Sequence, residues 1–226
     1  MYIELTGLPG SGKTYLSQLL FARHKGAGYH SANNGTRARI LDSVKKGPLA
    51  GLRTGLLGAA RFATVYPDTY RYLSDPRTVE GSSLLWPTLF MSNYFFADHY
   101  WRNTGIIVAD EGFVQFAVAA SVGKPEAEWI AYIDSAPKID ALVVADVDVE
   151  TLLERMSARP RGLPRLLRNR STAEVEDYFA HSRRVMDVLS DRCAARGTHV
   201  MRIDAAEPAD VLVPQIHAMA QSLKSA

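Results

Sequence analysis

Eight residues near the start constrain this chain more than any others. Gly7-Leu8-Pro9-Gly10-Ser11-Gly12-Lys13-Thr14 matches the pattern GxxxxGK[ST] in full. A β-type run, Tyr2-Ile3-Glu4-Leu5-Thr6, precedes it. A helical pattern follows from Tyr15 to His24, with Leu16, Leu19, Leu20 and Arg23 on one face. Glycines at these positions let successive backbone N–H groups turn inward and wrap phosphate oxygens. The helix behind them adds a favourable dipole at its N-terminus. Lys13 is spaced to reach the β- and γ-phosphates of a nucleoside triphosphate, and the Thr14 hydroxyl to ligate Mg²⁺. The candidate nucleotide-binding residues are Gly7, Pro9, Gly10, Ser11, Gly12, Lys13, Thr14 and Tyr15, with ATP and Mg²⁺ as the expected cofactors.

The rest of the chain reads as alternating strands and helices. Continuous apolar runs at Ile106-Ile107-Val108-Ala109, Ala141-Leu142-Val143-Val144-Ala145 and His199-Val200-Met201-Arg202-Ile203 each end in an aspartate: Asp110, Asp146 and Asp204. Runs of this kind suit strands covered on both faces, as in a parallel sheet. Tyr29 to Ala32 is a weaker second strand. Asp148 is a helix N-cap candidate, and Ser171-Thr172-Ala173-Glu174 is a capping box that opens a long helix closed by Gly197. Pro208 can start a last helix, which Pro214 should kink or delay. Between strands two and three, about residues 35–105, no good strand occurs. A helical insertion is expected there, with one helix through Leu49, Leu52 and Leu56 and another from near Ser83 to Asn103. All of this fits one domain over residues 1–226.

Composition narrows the classes. With 26 Lys+Arg against 24 Asp+Glu the net charge is +2, too even for general nucleic-acid binding, so no nucleic-acid partner is expected. The single cysteine, Cys193, excludes an internal disulfide and a Cys-rich zinc site. The start Met1-Tyr2-Ile3-Glu4 has no signal-peptide pattern. The most apolar stretch, Leu84 to Ala97, is broken by Pro87, Thr88, Ser92 and Asn93, short of the ~20 residues of a membrane span. The expected setting is cytoplasmic.

Three further groups carry chemistry. Asp110-Glu111 closes the third strand, where a carboxylate can hold Mg²⁺ through water or accept the proton of an attacking hydroxyl. From Arg155 to Arg170 six residues are arginine and none is acidic: Arg155, Arg159, Arg161, Arg165, Arg168 and Arg170. Like charges so dense repel unless an anion arrives, and guanidinium matches phosphate oxygens bidentately. Arg155, Arg159 and Arg161 are the leading candidates. The insertion holds eleven aromatics between Phe62 and Trp101, which form a local core or line an acceptor pocket. Asp98 and Arg102, at i and i+4, are either a surface ion pair or an acceptor-binding pair.

The loop, the five-strand outline and the insertion resemble the P-loop NTPase superfamily, and in layout its nucleoside and nucleotide kinases, such as thymidylate kinase and deoxynucleoside kinase. The resemblance implies a three-layer α/β fold with a five-stranded parallel sheet ordered 2-3-1-4-5 and helices on both faces. It implies an acceptor site built partly from the insertion and an arginine lid at about 155–170. It also implies transfer of the γ-phosphoryl of ATP to a small-molecule hydroxyl or phosphate, with Lys13, Asp110, Glu111, Arg155, Arg159 and Arg161 as catalytic residues and Thr14 and Asp110 at the metal. A homodimer is compatible with it. Thymidylate kinases usually carry Asp-Arg, and deoxynucleoside kinases Glu-Arg, where this chain has Asp110-Glu111. The Asp-Glu pair occurs in many ATP-hydrolysing P-loop proteins, so an ATPase with Glu111 orienting water stays open. So does a nucleotide-sensing module without catalysis.

Overall fold

A computed structural model describes residues 1–32, 48–75, 85–158, 167–168 and 170–225; the side chains of 48–54, 85–87 and 89 lie outside the description. The apolar runs form one parallel sheet from β1 (Tyr2–Gly7), β2 (Tyr29–Ser31), β3 (Ile106–Ala109), β4 (Ala141–Asp146) and β5 (His199–Asp204). Their order is β2-β3-β1-β4-β5, as the resemblance implied. β1 lies between β3 and β4, with Ile3 opposite Val108 on one side and Ala141 on the other. The strand order turns at β1. A crevice therefore opens at the carboxyl ends of the strands, where open α/β sheets bind ligands.

Helices cover both faces. α1 (Lys13–Arg23) follows β1 and packs on the last described helix. The insertion supplies α2 (Pro48–Val65), α3 (Pro67–Ser74) and α4 (Leu85–Trp101). Two helices that the periodicity did not announce, α5 (Phe113–Ala120) and α6 (Glu126–Ser135), stand between β3 and β4. α7 (Val149–Ser157), α8 (Thr172–Ala195) and α9 (Ala209–Ser225) complete the set. α5, α6 and α8 pack together.

The local signals mostly work as read. Asp148 accepts from Thr151 N at 2.7 Å, and Ser171 with Glu174 forms both halves of the capping box. Gly197 turns the chain at φ 80°. α1 starts at Lys13 rather than Tyr15, because Gly12 in a left-handed conformation already serves as its N-cap. Pro214 lies inside α9 without delaying its start at Ala209. Leu56, on the helix its spacing predicted, is exposed.

The insertion's aromatics mainly build core. Phe113 of α5 meets Tyr94 edge-on at 4.8 Å and Phe90 at 5.1 Å, and Phe62 stacks on it at 6.1 Å. Tyr2 of β1 meets Tyr94 at 5.3 Å. Phe62, Phe90 and Tyr94 thus bury their rings against β1 and α5, where each contributes apolar burial and favourable ring geometry. Tyr72 stacks on Tyr132 of α6 at 4.3 Å. Among the described helices, none is long and apolar enough to cross a membrane.

Candidate active site

The phosphate loop leaves β1 at a fully buried strand end and enters α1 at Lys13. Gly10 and Gly12 hold φ of 100° and 84°, a region that side chains with a Cβ rarely adopt. Gly7 is required for a different reason. A Cβ there would stand 2.5 Å from Ser11 Oγ and 2.6 Å from the Ala145 carbonyl of β4. Lys13 Nζ arches back and donates to the Gly7 carbonyl at 3.0 Å. Thr14 and Tyr15, in the first turn of α1, are exposed.

Two clefts meet on this loop. The larger, of about 500 Å³, runs along Pro9, Gly10, Gly12, Lys13, Thr14, Tyr15 and Gln18 to Glu111 and Gln115. The smaller, of about 320 Å³, passes the other flank of the loop, between Gly10, Tyr15 and Leu16 on one side and Arg155, Ala205, Glu207 and Leu212 on the other. Gly10, Gly12 and Tyr15 border both.

Of the acidic pair, Glu111 lines the larger cleft together with Lys13. The protein packed beneath it pushes its carboxyl above the ordinary range; Asp110 adds to that push and Lys13 opposes it. Glu111, Asp110 and Lys13 therefore share one electrostatic neighbourhood. The other strand-end aspartates serve the scaffold. Asp146 accepts from Val147 N and pairs with Arg183, and Asp204 caps its own turn through Ala206 N.

Arg155 sits in the last turn of α7 and donates to the Ala205 carbonyl at 2.9 Å. That bond holds it in the smaller cleft, across the loop from Glu111. Arg159, Arg161 and Arg165 lie outside the described residues. Arg168 is exposed, and Arg170 approaches Glu174 at 3.8 Å. Asp98 and Arg102 pair at 2.7 Å at the end of α4. Met1 N donates there to the Arg102 and Gly105 carbonyls. Met1 precedes β1, so the pair stands at the amino edge of the sheet, away from the loop. Of the two readings of Asp98 and Arg102, this position favours the ion pair.

Two residues that the sequence reading passed over support the loop from below. Glu4, fully buried in β1, accepts from Gln115 N at 2.8 Å through Oε1. Its Oε2 has no hydrogen-bond partner among the described residues. Burial pushes the Glu4 carboxyl up to about 7, against the pull of the Gln115, Val114 and Phe113 N–H groups at the start of α5. Gln115 in turn accepts, through Oε1, from Gly7 N at 3.1 Å and Thr6 Oγ1 at 3.2 Å. The signals were present: Glu4 is a lone charge in an apolar strand, and Gln115 is the one polar residue of Phe-Val-Gln-Phe-Ala-Val-Ala-Ala.

The donor set suits a hard cation. Thr14 offers a hydroxyl, Asp110 and Glu111 offer carboxylates, and oxygen ligands are those Mg²⁺ takes. Among the described residues no three His, Cys, Asp or Glu side chains could hold a metal by themselves. A magnesium ion here would share its coordination with phosphate oxygens and water.

Comparison with known proteins adds the fold relationship. No family model matches the chain, and no curated protein sequence matches it. Among solved structures it is similar to thymidylate kinase from Candida albicans, with 13% identity over 99% of this chain and 92% of that one, at a TM-score of 0.54. It is also similar to deoxyadenosine kinase from M. mycoides with bound dATP, with 13% identity over 97% of this chain and 98% of that one, at a TM-score of 0.52. The likeness extends over nearly the whole length of each chain, so this chain has the fold of the P-loop nucleoside and nucleotide kinases.

Proposed function

We propose that this protein is a phosphotransferase that moves the γ-phosphoryl of ATP to a small-molecule hydroxyl or phosphate. One observation carries the reading: a complete phosphate loop borders two clefts, one lined by Lys13 and Glu111 and the other by Arg155. A kinase needs both, because donor and acceptor must approach the γ-phosphoryl from different sides. The smaller cleft takes the nucleoside of the donor. The flat guanidinium of Arg155, fixed by Ala205, offers a surface on which a planar base can stack. The loop N–H groups and Lys13 hold the phosphates, and the larger cleft receives the acceptor.

Within the larger cleft Glu111 accepts the acceptor's proton. It stands on the cleft wall with Lys13, and the protein packed around it and Asp110 raise its carboxyl while Lys13 opposes them; a carboxylate so placed can act as a general base. Asp110 and Thr14 would hold Mg²⁺, which would supply charge neutralisation at the phosphates. Arg159 and Arg161 supply the charge-neutralising contacts of a lid, as the density of arginines in that segment suggests.

A second reading keeps the same residues and replaces the acceptor by water, with Glu111 orienting it. The position of Glu111 on the cleft wall favours that reading as much as the first. ADP release separates them. Wild type incubated with ATP and Mg²⁺ should release ADP slowly alone, and at least tenfold faster with one member of a panel of nucleosides, nucleoside monophosphates, sugars and short polyols. Lys13→Ala should abolish both rates. A fast rate that no acceptor changes would establish the hydrolase instead.

A further inference from the structure

Gln115 is held at three points, and only one part of it is left to act. Its backbone N–H is fixed by the buried Glu4 carboxyl at 2.8 Å. Its side-chain oxygen accepts from Gly7 N and from Thr6 Oγ1. A backbone N–H can only donate, so the atom facing Gly7 must be the amide oxygen, and the orientation of the amide is settled. The –NH2 group then has two protons and no hydrogen-bond partner among the described residues. Gln115 is half-buried and forms part of the cleft that holds Lys13 and Glu111.

Position narrows what that group can meet. Gly7 is gripped twice: Gln115 takes its N–H, and Lys13 Nζ donates to its carbonyl at 3.0 Å. The amide is therefore close to the end of the loop where Lys13 works, and on the Glu111 side rather than the Arg155 side. A neutral donor there complements an uncharged or anionic oxygen that is not already served by the loop's own N–H groups.

We propose that Gln115 is an acceptor-binding residue, whose side-chain –NH2 donates to an oxygen of the phosphoryl acceptor and holds that acceptor between Glu111 and the γ-phosphoryl. The inference rests on the phosphotransfer reading and adds to it a requirement on the substrate: a hydrogen-bond-accepting oxygen near the attacking group. The rigid anchoring matters, because a donor already fixed in place loses little entropy on binding.

The test uses the full chain and the acceptor that gives the fastest ADP release in the panel. Gln115→Glu keeps an oxygen for Gly7 N and Thr6 but loses the –NH2; Gln115→Met loses both. Both variants should raise the acceptor KM tenfold or more, and Gln115→Glu, which keeps the bond to Gly7 N, should leave the ATP Kd within about threefold. Analogues of the acceptor lacking one oxygen at a time provide the sharper readout. One analogue should raise the KM of wild type about tenfold and raise that of Gln115→Met no further, because the contact is already gone. A purely structural Gln115 would show the same penalty in both proteins. Unchanged acceptor KM in both variants, or a raised ATP Kd with unchanged acceptor KM, would overturn the proposal while leaving the kinase intact. If wild type releases no ADP with any acceptor, the phosphotransfer reading falls and the proposal falls with it.

Discussion

Glu4 is a carboxyl at the centre of a buried strand, with one oxygen bonded to the start of α5 and the other facing Gly112. Oε1 accepts from an N–H, so in the neutral form the proton resides on Oε2. Its folded value of about 7 lies above the ordinary 4.5. Between those values the folded chain keeps a proton that the unfolded chain has released. Stability is therefore greatest below the unfolded value and falls as pH rises through 7, by a limiting amount on the order of 3 kcal/mol. Urea unfolding at pH 5 and pH 8 should show wild type losing more stability across that interval than Glu4→Gln, which is neutral at both. Equal losses would mean that Glu4 titrates as an ordinary surface acid. The same residue shows why part of the site was hard to read from sequence. Gly7 to Thr14 are legible because their function depends on neighbours in the chain. The Gly7–Gln115 bond joins residues 108 apart, and no local pattern encodes it.

At the scale of elements, the site depends on how closely α5 can approach β1. Gly112, the N-cap of α5, has φ of −120°, which any residue adopts; what it requires is the absence of a side chain. A Cβ there would fall 2.3 Å from Glu4 Cδ. Gly112→Ala should destabilise the protein by about 1–3 kcal/mol, the usual range for overpacking a filled interior. It should also weaken ATP binding, because Gln115 moves with the helix that carries it. Gly55→Ala in α2 is the control. Among the described residues nothing stands within 4 Å of a Cβ there, so this substitution should be neutral or stabilising by up to about 1 kcal/mol. Thermal unfolding and ATP titration of the two variants check both expectations, and equal behaviour would remove the close approach as the reason for Gly112. β3 and β4 were legible as continuous apolar runs bounded by aspartates. α5 was not, because its eight residues are apolar on nearly every side and leave no 3.6-residue stripe to detect. α1 and α8 announced themselves through stripes, caps or both.

Across the whole molecule the two edges of the sheet do different work. The carboxyl edge carries the loop, Glu111 and both clefts. The amino edge carries a polar clasp: Met1 N on the Arg102 and Gly105 carbonyls, Tyr2 N on Asp140 at 2.7 Å, and Arg102 on Asp98. In sequence Asp98 and Arg102 are i,i+4 residues in an aromatic helix, with nothing to say which edge they reach. The sheet order decides it, because α4 runs down to the start of β3. Arg102→Met should then lower stability by at most about 1 kcal/mol, since a partly exposed pair gains little net energy. It should leave the acceptor KM and the ATP Kd as they are in wild type. Ligand linkage supplies the comparison. ATP at a hundred times its Kd should add about 2.7 kcal/mol of stability to wild type and the same increment to Arg102→Met, but almost none to Lys13→Ala. A tenfold rise in acceptor KM for Arg102→Met would place the amino end of β3 in the acceptor's path. The division of labour between the two edges would then fail.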